Sequence, residues 1–176
     1  MKKIFVVLFS LVFAATAFAQ KYAMTDYVPI AQMENNGVQI EVFAMNNQGV
    51  NDYFLCVGSL GIGDDVVQLN IDPVSKLFIP LGNTIDGAIE KMADLQGLFK
   101  EQEGFSTTVD GILAPIMPNG EVEPVTVIYK KVILTRNLEF VVTRNGYVRS
   151  TYIPRSSINS IASSLKFHKK LHPSAN

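Results

Sequence analysis

The feature that most constrains the fold is a run of strand-like segments that ends in an amphipathic helix. In segment 38–44, apolar residues stand at every second position, which predicts a half-buried strand. At residues 85–99 the period changes to that of a helix. The apolar positions of this helical stripe are Ile85, Ile89, Met92, Leu95 and Phe99. With Asn83 or Thr84 as the cap, the pattern predicts a helix that ends near Lys100.

Other segments carry strand patterns separated by turn residues. Apolar and β-branched runs predict further strands at 52–57, 66–71, 76–79, 107–117, 125–135, 138–143 and 147–153. Because segment 107–117 contains Gly111 and Pro115, it is expected to be an edge or bulged strand. The stretch 20–36 is polar with little periodicity, which predicts a leader that pairs only loosely.

A second helix is expected after the last strand, and it suggests an internal repeat. Its apolar stripe begins at Ile158 and continues through Ile161, Leu165 and Phe167, with Ser156 or Ser157 as the cap. Ile-Pro precedes both helices, and Pro80 and Pro154 are 74 residues apart. This spacing indicates two ββββα units, with repeat halves at 38–103 and 105–172. The alternative is that two unrelated segments converged on one turn solution.

Strands in runs, each run closed by a helix, predict an α+β fold. We expect an antiparallel β-sheet of about eight strands with two helices packed on one face. The opposite face is expected to be polar, either solvated or used as a broad concave binding surface. Its expected residues include Glu41, Thr126, Lys130, Thr143 and Arg149.

The N-terminus has the pattern of a bacterial export signal. Lys2 and Lys3 precede an apolar run, and Ala17-Phe18-Ala19 supplies small residues where a signal peptidase cleaves. The run is shorter than the about 20 apolar residues that span a bilayer. We therefore predict a signal peptide at 1–19 and a mature single domain at 20–176, periplasmic or secreted, without a transmembrane segment. An uncleaved anchor or a buried N-terminal helix is the alternative.

Composition narrows the classes of function. A single cysteine, Cys56, excludes an internal disulfide framework and lies in an apolar strand pattern, as a buried side chain would. The net charge is −1, and export argues further against nucleic acid as a partner. The charge is nevertheless uneven: residues 20–124 carry 4 basic and 15 acidic residues, and residues 125–176 carry 9 basic residues and Glu139. Either the two halves neutralise each other, or the second half presents a basic face.

Residues suited to catalysis or metal binding are few. His168 and His172 have the spacing of a shared metal site, but no acidic residue lies near them in sequence and a basic helix end explains them equally. The serines at 156–164 lack a nucleophile elbow. Asp64, Asp65 and Asp110 are the candidate paired carboxylates, although the chain has no Trp to line a sugar cleft. We predict no catalytic site, no metal site and no cofactor.

The resulting hypothesis is an exported, non-enzymatic binding or interaction domain that uses the open sheet face or its loops. The candidate binding residues form a basic or aromatic face. They are Lys130, Arg149, Tyr129, Tyr147 and Tyr152. The partner is expected to be a protein, an envelope component or a small molecule. Two alternatives remain: a small secreted hydrolase that uses carboxylates, and a structural or inhibitory partner of another exported protein.

Overall fold

The computed structural model describes residues 21–35, 38–58, 61–62, 76–144 and 146–173, with the side chains of residues 61, 62 and 147 excepted. It contains one nine-stranded sheet and two helices, α1 (Ile85–Gly97) and α2 (Arg155–Leu171). The strands are β1 (Tyr27–Asn35), β2 (Val38–Asn47), β3 (Val50–Val57), β4 (Gly61–Ile62), β5 (Lys76–Gly82), β6 (Ser106–Ala114), β7 (Val122–Val132), β8 (Thr135–Arg144) and β9 (Tyr147–Pro154). Their order in the sheet is β1-β2-β3-β5-β6-β7-β8-β9-β4, and every pairing is antiparallel. The predicted α+β class with an antiparallel sheet is confirmed.

The sheet curls around the helices. Helix α2 contacts β1 at one edge and also β8 and β9 near the other, while α1 packs on β5 and on α2. One helix can touch both ends of a sheet only if the sheet bends toward it. We call the helix side the inner face and the opposite side the outer face. The concave side is therefore filled by the helices, and the outer face is not the broad concave surface expected from the sequence.

The inner face carries the main hydrophobic core. Every second residue of β2, β7 and β8 points into it, among them Val42, Tyr129 and Phe140, each at most 2% exposed. The helices contribute the other layer. Their buried apolar side chains are Ile85, Ala88, Met92, Leu95, Ile158, Ile161, Ala162 and Leu165. This core includes residues from both halves of the chain.

The outer face of the first half carries a second apolar cluster. Phe43, Phe54 and Phe78 pack ring against ring across β2, β3 and β5, and Tyr22 contacts Phe54 from the N-terminal segment. All four side chains are at most 4% exposed. Cys56 lies in the same cluster, and burial raises the pKa of its thiol to about 12. The expectation of a polar outer face is wrong for these three strands.

The two helices begin in different ways. As predicted, Thr84 caps α1, where its Oγ1 accepts a hydrogen bond from the Gly87 backbone N–H at 3.1 Å. Helix α2 begins at Arg155, directly after β9, and Pro154 occupies the cap position without a side-chain hydrogen bond. The expected cap at Ser156 or Ser157 is wrong. So is the placement of Phe167 in the buried stripe, because this side chain is 62% exposed.

Three strand predictions need correction, and a fourth lies outside the described residues. The polar leader contains β1, which pairs with β2 over almost its whole length. Segment 107–117 is an interior strand, because β6 lies between β5 and β7. The long run 125–135 ends at Val132, where the chain turns into β8. The strand predicted at 66–71 falls in the segment that the structure does not describe.

In the described part of the chain, neither helix is long and apolar enough to cross a membrane.

Candidate functional site

A groove of about 820 Å³ lies on the outer face, at the end of β3, β5 and β6. Its floor is apolar and consists of Phe54, Pro80 and Ile112 from these three strands. The N-terminal segment at Lys21 and Tyr22 forms one wall, and the loop 118–121 with the first residue of β7, Val122, forms the other. A volume of this size is in the range of pockets that hold small ligands.

Asn119 ties the two walls together. Its Oδ1 accepts hydrogen bonds from the backbone N–H groups of Lys21 and Tyr22 at 3.0 and 2.9 Å. Its Nδ2 donates to the backbone carbonyl of Tyr22 at 2.9 Å. One side chain thus pairs with three backbone groups of a segment almost a hundred residues away. The position of the N-terminal wall, and so the shape of the groove, depends on this amide.

A charged cluster of Lys21, Tyr22 and Asp52 lies at the rim. Lys21 Nζ donates to Asp52 Oδ2 at 2.9 Å, and the Tyr22 hydroxyl donates to the same oxygen. Burial, and then the bond to Asp52, raises the pKa of Tyr22 to about 12, so this phenol stays a neutral donor at physiological pH. The Lys21 side chain is 56% exposed and Asp52 is 23% exposed. The ammonium group is therefore within reach of a ligand in the groove.

The sequence does not predict this groove. Lys21 and Tyr22 lie in the stretch that the sequence predicts to be a polar leader. A weak signal was available, because Pro-Asn-Gly between two apolar runs indicates an exposed loop that can present an amide. Nothing in the sequence indicated that this loop meets the N-terminal segment.

The predicted binding residues do not form a single surface. Lys130 and Tyr152 lie on the outer face, where Lys130 Nζ is 5.9 Å from the Tyr152 ring centre. Tyr129 is only 2% exposed and packs edge to face against Phe99 in the inner core.

Arg149 pairs with Val142, a core residue, so it lies on the inner side of the sheet. Tyr147 pairs with Arg144, and its side chain is outside the described part of the structure.

Lys130 and Tyr152 lie close to a buried carboxylate that the sequence analysis did not assign. Glu139 is 7% exposed and forms an ion pair with Lys130 at 2.5 Å. The hydrogen bond to Glu139 is the main cause of the raised pKa of Lys130. In β-strand register, Glu139 lies directly opposite Tyr152. The charge of Lys130 is thus largely neutralised within the sheet.

The candidate carboxylates have separate locations. Asp64 and Asp65 lie outside the described residues. Asp110 lines a second cleft of about 450 Å³ together with Asp94 and Lys91. This cleft lies where β5 and β6 separate, because the two strands pair only through residues 76–78 and 112–114.

The two histidines lie at the end of α2. Their ring centres are 4.6 Å apart, and burial, followed by the neighbouring His172, lowers the pKa of His168. Within the ranges that the structure describes, no group of three or more His, Cys, Asp or Glu side chains has the arrangement of a metal site.

The two halves of opposite charge meet at ion pairs. Lys169 of α2 pairs with Asp86 of α1, and Lys131 of β7 lies 3.9 Å from Glu103. These contacts join the basic second half to the acidic first half.

Comparisons with protein-family models, curated proteins and solved structures give no match for this chain.

Proposed function

We propose that this protein is an exported, non-enzymatic binding protein that holds a small molecule or short peptide in the outer-face groove. The observation that carries the proposal is the groove itself, with an apolar floor and several polar groups at one rim. Concave apolar sites with a few convergent polar groups are the usual form of ligand pockets. The export signal at residues 1–19 supports a periplasmic or secreted location.

The lining of the groove indicates the chemistry of the ligand. Phe54, Pro80 and Ile112 offer an apolar surface for the body of a ligand. The Lys21 ammonium, whose charge is balanced by Asp52, offers a charge-assisted hydrogen bond to a carbonyl group at one end. Because Asp52 and Glu121 also line the groove, the ligand that fits best has an apolar body and an uncharged hydrogen-bonding head.

Filling the groove from its exposed rim tests this proposal. Val122 lines the groove and is 59% exposed, so Val122→Trp adds an indole there without changing the core. The probe is Nile red, an uncharged fluorescent molecule with an apolar body and a carbonyl acceptor. We expect its affinity for residues 20–176 to fall at least about tenfold, because the indole takes up apolar surface that the probe would cover.

Val148→Trp is the matched control. Val148 is also an exposed valine on a strand, at 51% exposure, but it does not line the groove. This variant should bind the probe within about twofold of the unchanged protein. Equal affinity in both variants would contradict binding in the groove. Unfolding curves establish that both variants are folded.

Native mass spectrometry of residues 20–176, purified from the envelope and medium fractions of the host, identifies the natural ligand. Additional mass of a few hundred daltons supports a small molecule or peptide. A second protein chain supports the alternative of a structural or inhibitory partner.

The hydrolase alternative has one structural observation in its favour. Asp94 and Asp110 line the same cleft, beside Lys91. A pair of carboxyl groups across a cleft is the minimum for glycoside hydrolysis. If a hydrolytic activity is detected and is lost in Asp110→Asn and Asp94→Asn, this alternative replaces the binding role.

We also propose that the chain arose by duplication of a ββββα unit. The strands β1, β2, β3 and β5 followed by α1 have the same order as β6, β7, β8 and β9 followed by α2. Each set is contiguous in the sheet. The unit would start earlier than residue 38, because β1 matches β6 in this scheme. Convergence on one order is the alternative, and independent folding of residues 105–172 would support duplication.

A further inference from the structure

The β7–β8 hairpin extends beyond both neighbouring strands. The last pair between β6 and β7 is Ser106 with Ile128, and the pairing of β8 with β9 begins at Asn137 with Pro154. Backbone contacts from residues 104–105 reach only to Tyr129. Residues 131–136 therefore pair within the sheet only with each other, and they extend about 10 Å past their neighbours.

The end of this hairpin is apolar and almost completely exposed. Ile133 is 96% exposed, Leu134 is 95% exposed and Val132 is 43% exposed. Singly exposed apolar residues are ordinary, but consecutive aliphatic side chains at a projecting tip are not. We call residues 132–134 the apolar tip.

The backbone of the apolar tip is unfavourable for the residues it contains. Ile133 has a φ of 55°, a conformation that β-branched residues rarely adopt. The β2–β3 hairpin turns at Gln48-Gly49, with φ of 53° and 90°, and so uses an unbranched residue and a glycine rather than a β-branched residue at positive φ. Aliphatic side chains at the tip thus cost stability and gain no burial within the described structure. Such strain is typical of a residue kept for contact with another molecule.

Two basic residues flank the apolar tip. Lys131 and Arg136 lie directly opposite each other in the register, where like charges repel. Glu103 accepts a hydrogen bond from the Lys131 backbone N–H at 3.3 Å, but its carboxylate lies 3.9 Å from the Lys131 ammonium. Both side chains are about half exposed, so this ion pair is weak. On the other side of the hairpin, Lys130 is held by Glu139. An anionic surface would relieve the repulsion between Lys131 and Arg136.

From this combination we propose that the hairpin anchors the protein to a phospholipid bilayer with anionic headgroups. Val132, Ile133 and Leu134 enter the headgroup region, and Lys131 and Arg136 contact lipid phosphates. The insertion is shallow, because the backbone groups of the turn need hydrogen-bonding partners that the hydrocarbon interior lacks. This role is independent of the groove.

A bilayer fits the apolar tip better than a protein partner does. Protein interfaces depend on a central cluster of Trp, Tyr or Arg in a well-packed patch, whereas Leu and Val contribute less often. The apolar tip is only three aliphatic residues wide. A fluid lipid surface accommodates such a small projection without shape complementarity, and its affinity depends on apolar area and charge.

The absence of Trp from the sequence allows a direct test. Leu134→Trp places a single indole at the tip, in residues 20–176, which contain every described element but not the apolar N-terminal run. Vesicles of phosphatidylglycerol and phosphatidylcholine in equal parts should shift its emission to shorter wavelength. The emission of Val148→Trp should stay unchanged. If the emission of Leu134→Trp does not shift with anionic vesicles, the proposal is overturned, and a protein partner becomes the explanation of the apolar tip.

Vesicle flotation with a fold-preserving variant provides the second test. Replacing Ile133 by Gly and Leu134 by Asn puts glycine at the one turn position with a positive φ, as a type II′ turn prefers, so the variant should fold at least as well. We expect its partition onto anionic vesicles to fall at least about tenfold. Lys131→Gln with Arg136→Gln should lower it by a similar factor, since each basic residue near an anionic surface contributes.

Phe167→Gln with Leu171→Gln is the control. These two side chains form another exposed apolar site, at the end of α2, beside Lys166 and Lys170. The control should bind vesicles like the unchanged protein. Loss of binding in the control but not in the tip variant would overturn the assignment to the hairpin. Equal binding to vesicles of phosphatidylcholine alone would overturn the recognition of anionic lipid.

Discussion

Glu41 illustrates how burial changes the ionisation of one side chain. It lies on the outer face of β2, opposite Cys56, and is 8% exposed. Burial raises the pKa of its carboxyl group above the ordinary value of 4.5, and the charge of Lys76 partly opposes this effect. Because the unfolded chain ionises at lower pH than the folded protein, the free energy of unfolding falls as pH rises from about 4.5 through the raised pKa.

Glu41→Gln should therefore raise the free energy of unfolding at pH 7. Gln needs no ionisation, so the variant avoids the cost of a buried charge and loses this part of the pH dependence. Urea unfolding at pH 4 and pH 7 measures both effects. Glu34→Gln on the neighbouring strand is the control, because Glu34 is exposed, and it should change neither value appreciably. A Glu41→Gln variant whose free energy of unfolding changes between pH 4 and pH 7 by the same amount as that of the unchanged protein would contradict the assignment.

Groove residues show why part of the candidate site was not predictable. Asn119 acts through bonds to Lys21 and Tyr22, which lie almost a hundred residues away. A local pattern identifies an exposed Asn in a turn, but it contains no information about which segment reaches that turn. Lys130 and Tyr152 share the outer face, but the same predicted set includes Tyr129, which strand alternation places on the opposite face from its neighbour Lys130.

At the scale of elements, local sequence was most informative for α1. Its long apolar stripe and its polar cap agree with each other, and the helix spans Ile85–Gly97. For α2 the sequence predicts a later start, because Ser156 and Ser157 resemble caps, whereas in the structure the strand continues to Pro154. Pro fits here, since its fixed φ allows a strand end to turn directly into a helix. The sequence pattern does not predict β1 as a regular strand, because an edge strand needs no strict alternation of burial.

Thr84→Ala should destabilise the protein by about 1 kcal/mol, because the Gly87 N–H loses its side-chain acceptor. Thermal or urea unfolding measures the change. Ser156→Ala serves as the comparison at α2, where Ser156 is not the cap residue, and should stay within about 0.5 kcal/mol of the unchanged protein. Equal losses in the two variants would indicate that the cap at Thr84 contributes nothing specific.

At the scale of the whole molecule, Gly111 connects three strands. A Cβ at this position would lie 2.3 Å from Val125 Cγ2 and 3.0 Å from Leu77 Cδ1. Both neighbours are fully buried and belong to β7 and β5. In the sequence, this glycine indicated an edge or a bulge. In the fold, it allows an interior strand to pass close to the side chains on either side of it.

Gly111→Ala should lower the free energy of unfolding by about 1–3 kcal/mol, because the core has no space for another methyl group. Gly97→Ala is the matched control. Gly97 lies at the end of α1 with φ −58° and with no atom within 4 Å of a Cβ, so Ala should be neutral or stabilise by up to about 1 kcal/mol. Urea unfolding distinguishes the two, and an unchanged Gly111→Ala would contradict the packing described for β6.

The sequence by itself determined the elements whose pattern is local: the strand beginning at Val38, helix α1, the strands of the second half and the α+β class. Apolar periodicity follows from which face of an element is buried, and that property is encoded residue by residue. The tertiary structure alone decided the curl of the sheet, the groove and the separation of Lys130 from Arg149 onto opposite faces. These depend on strand order and register, where a shift of one residue exchanges the two faces, and on contacts between distant segments.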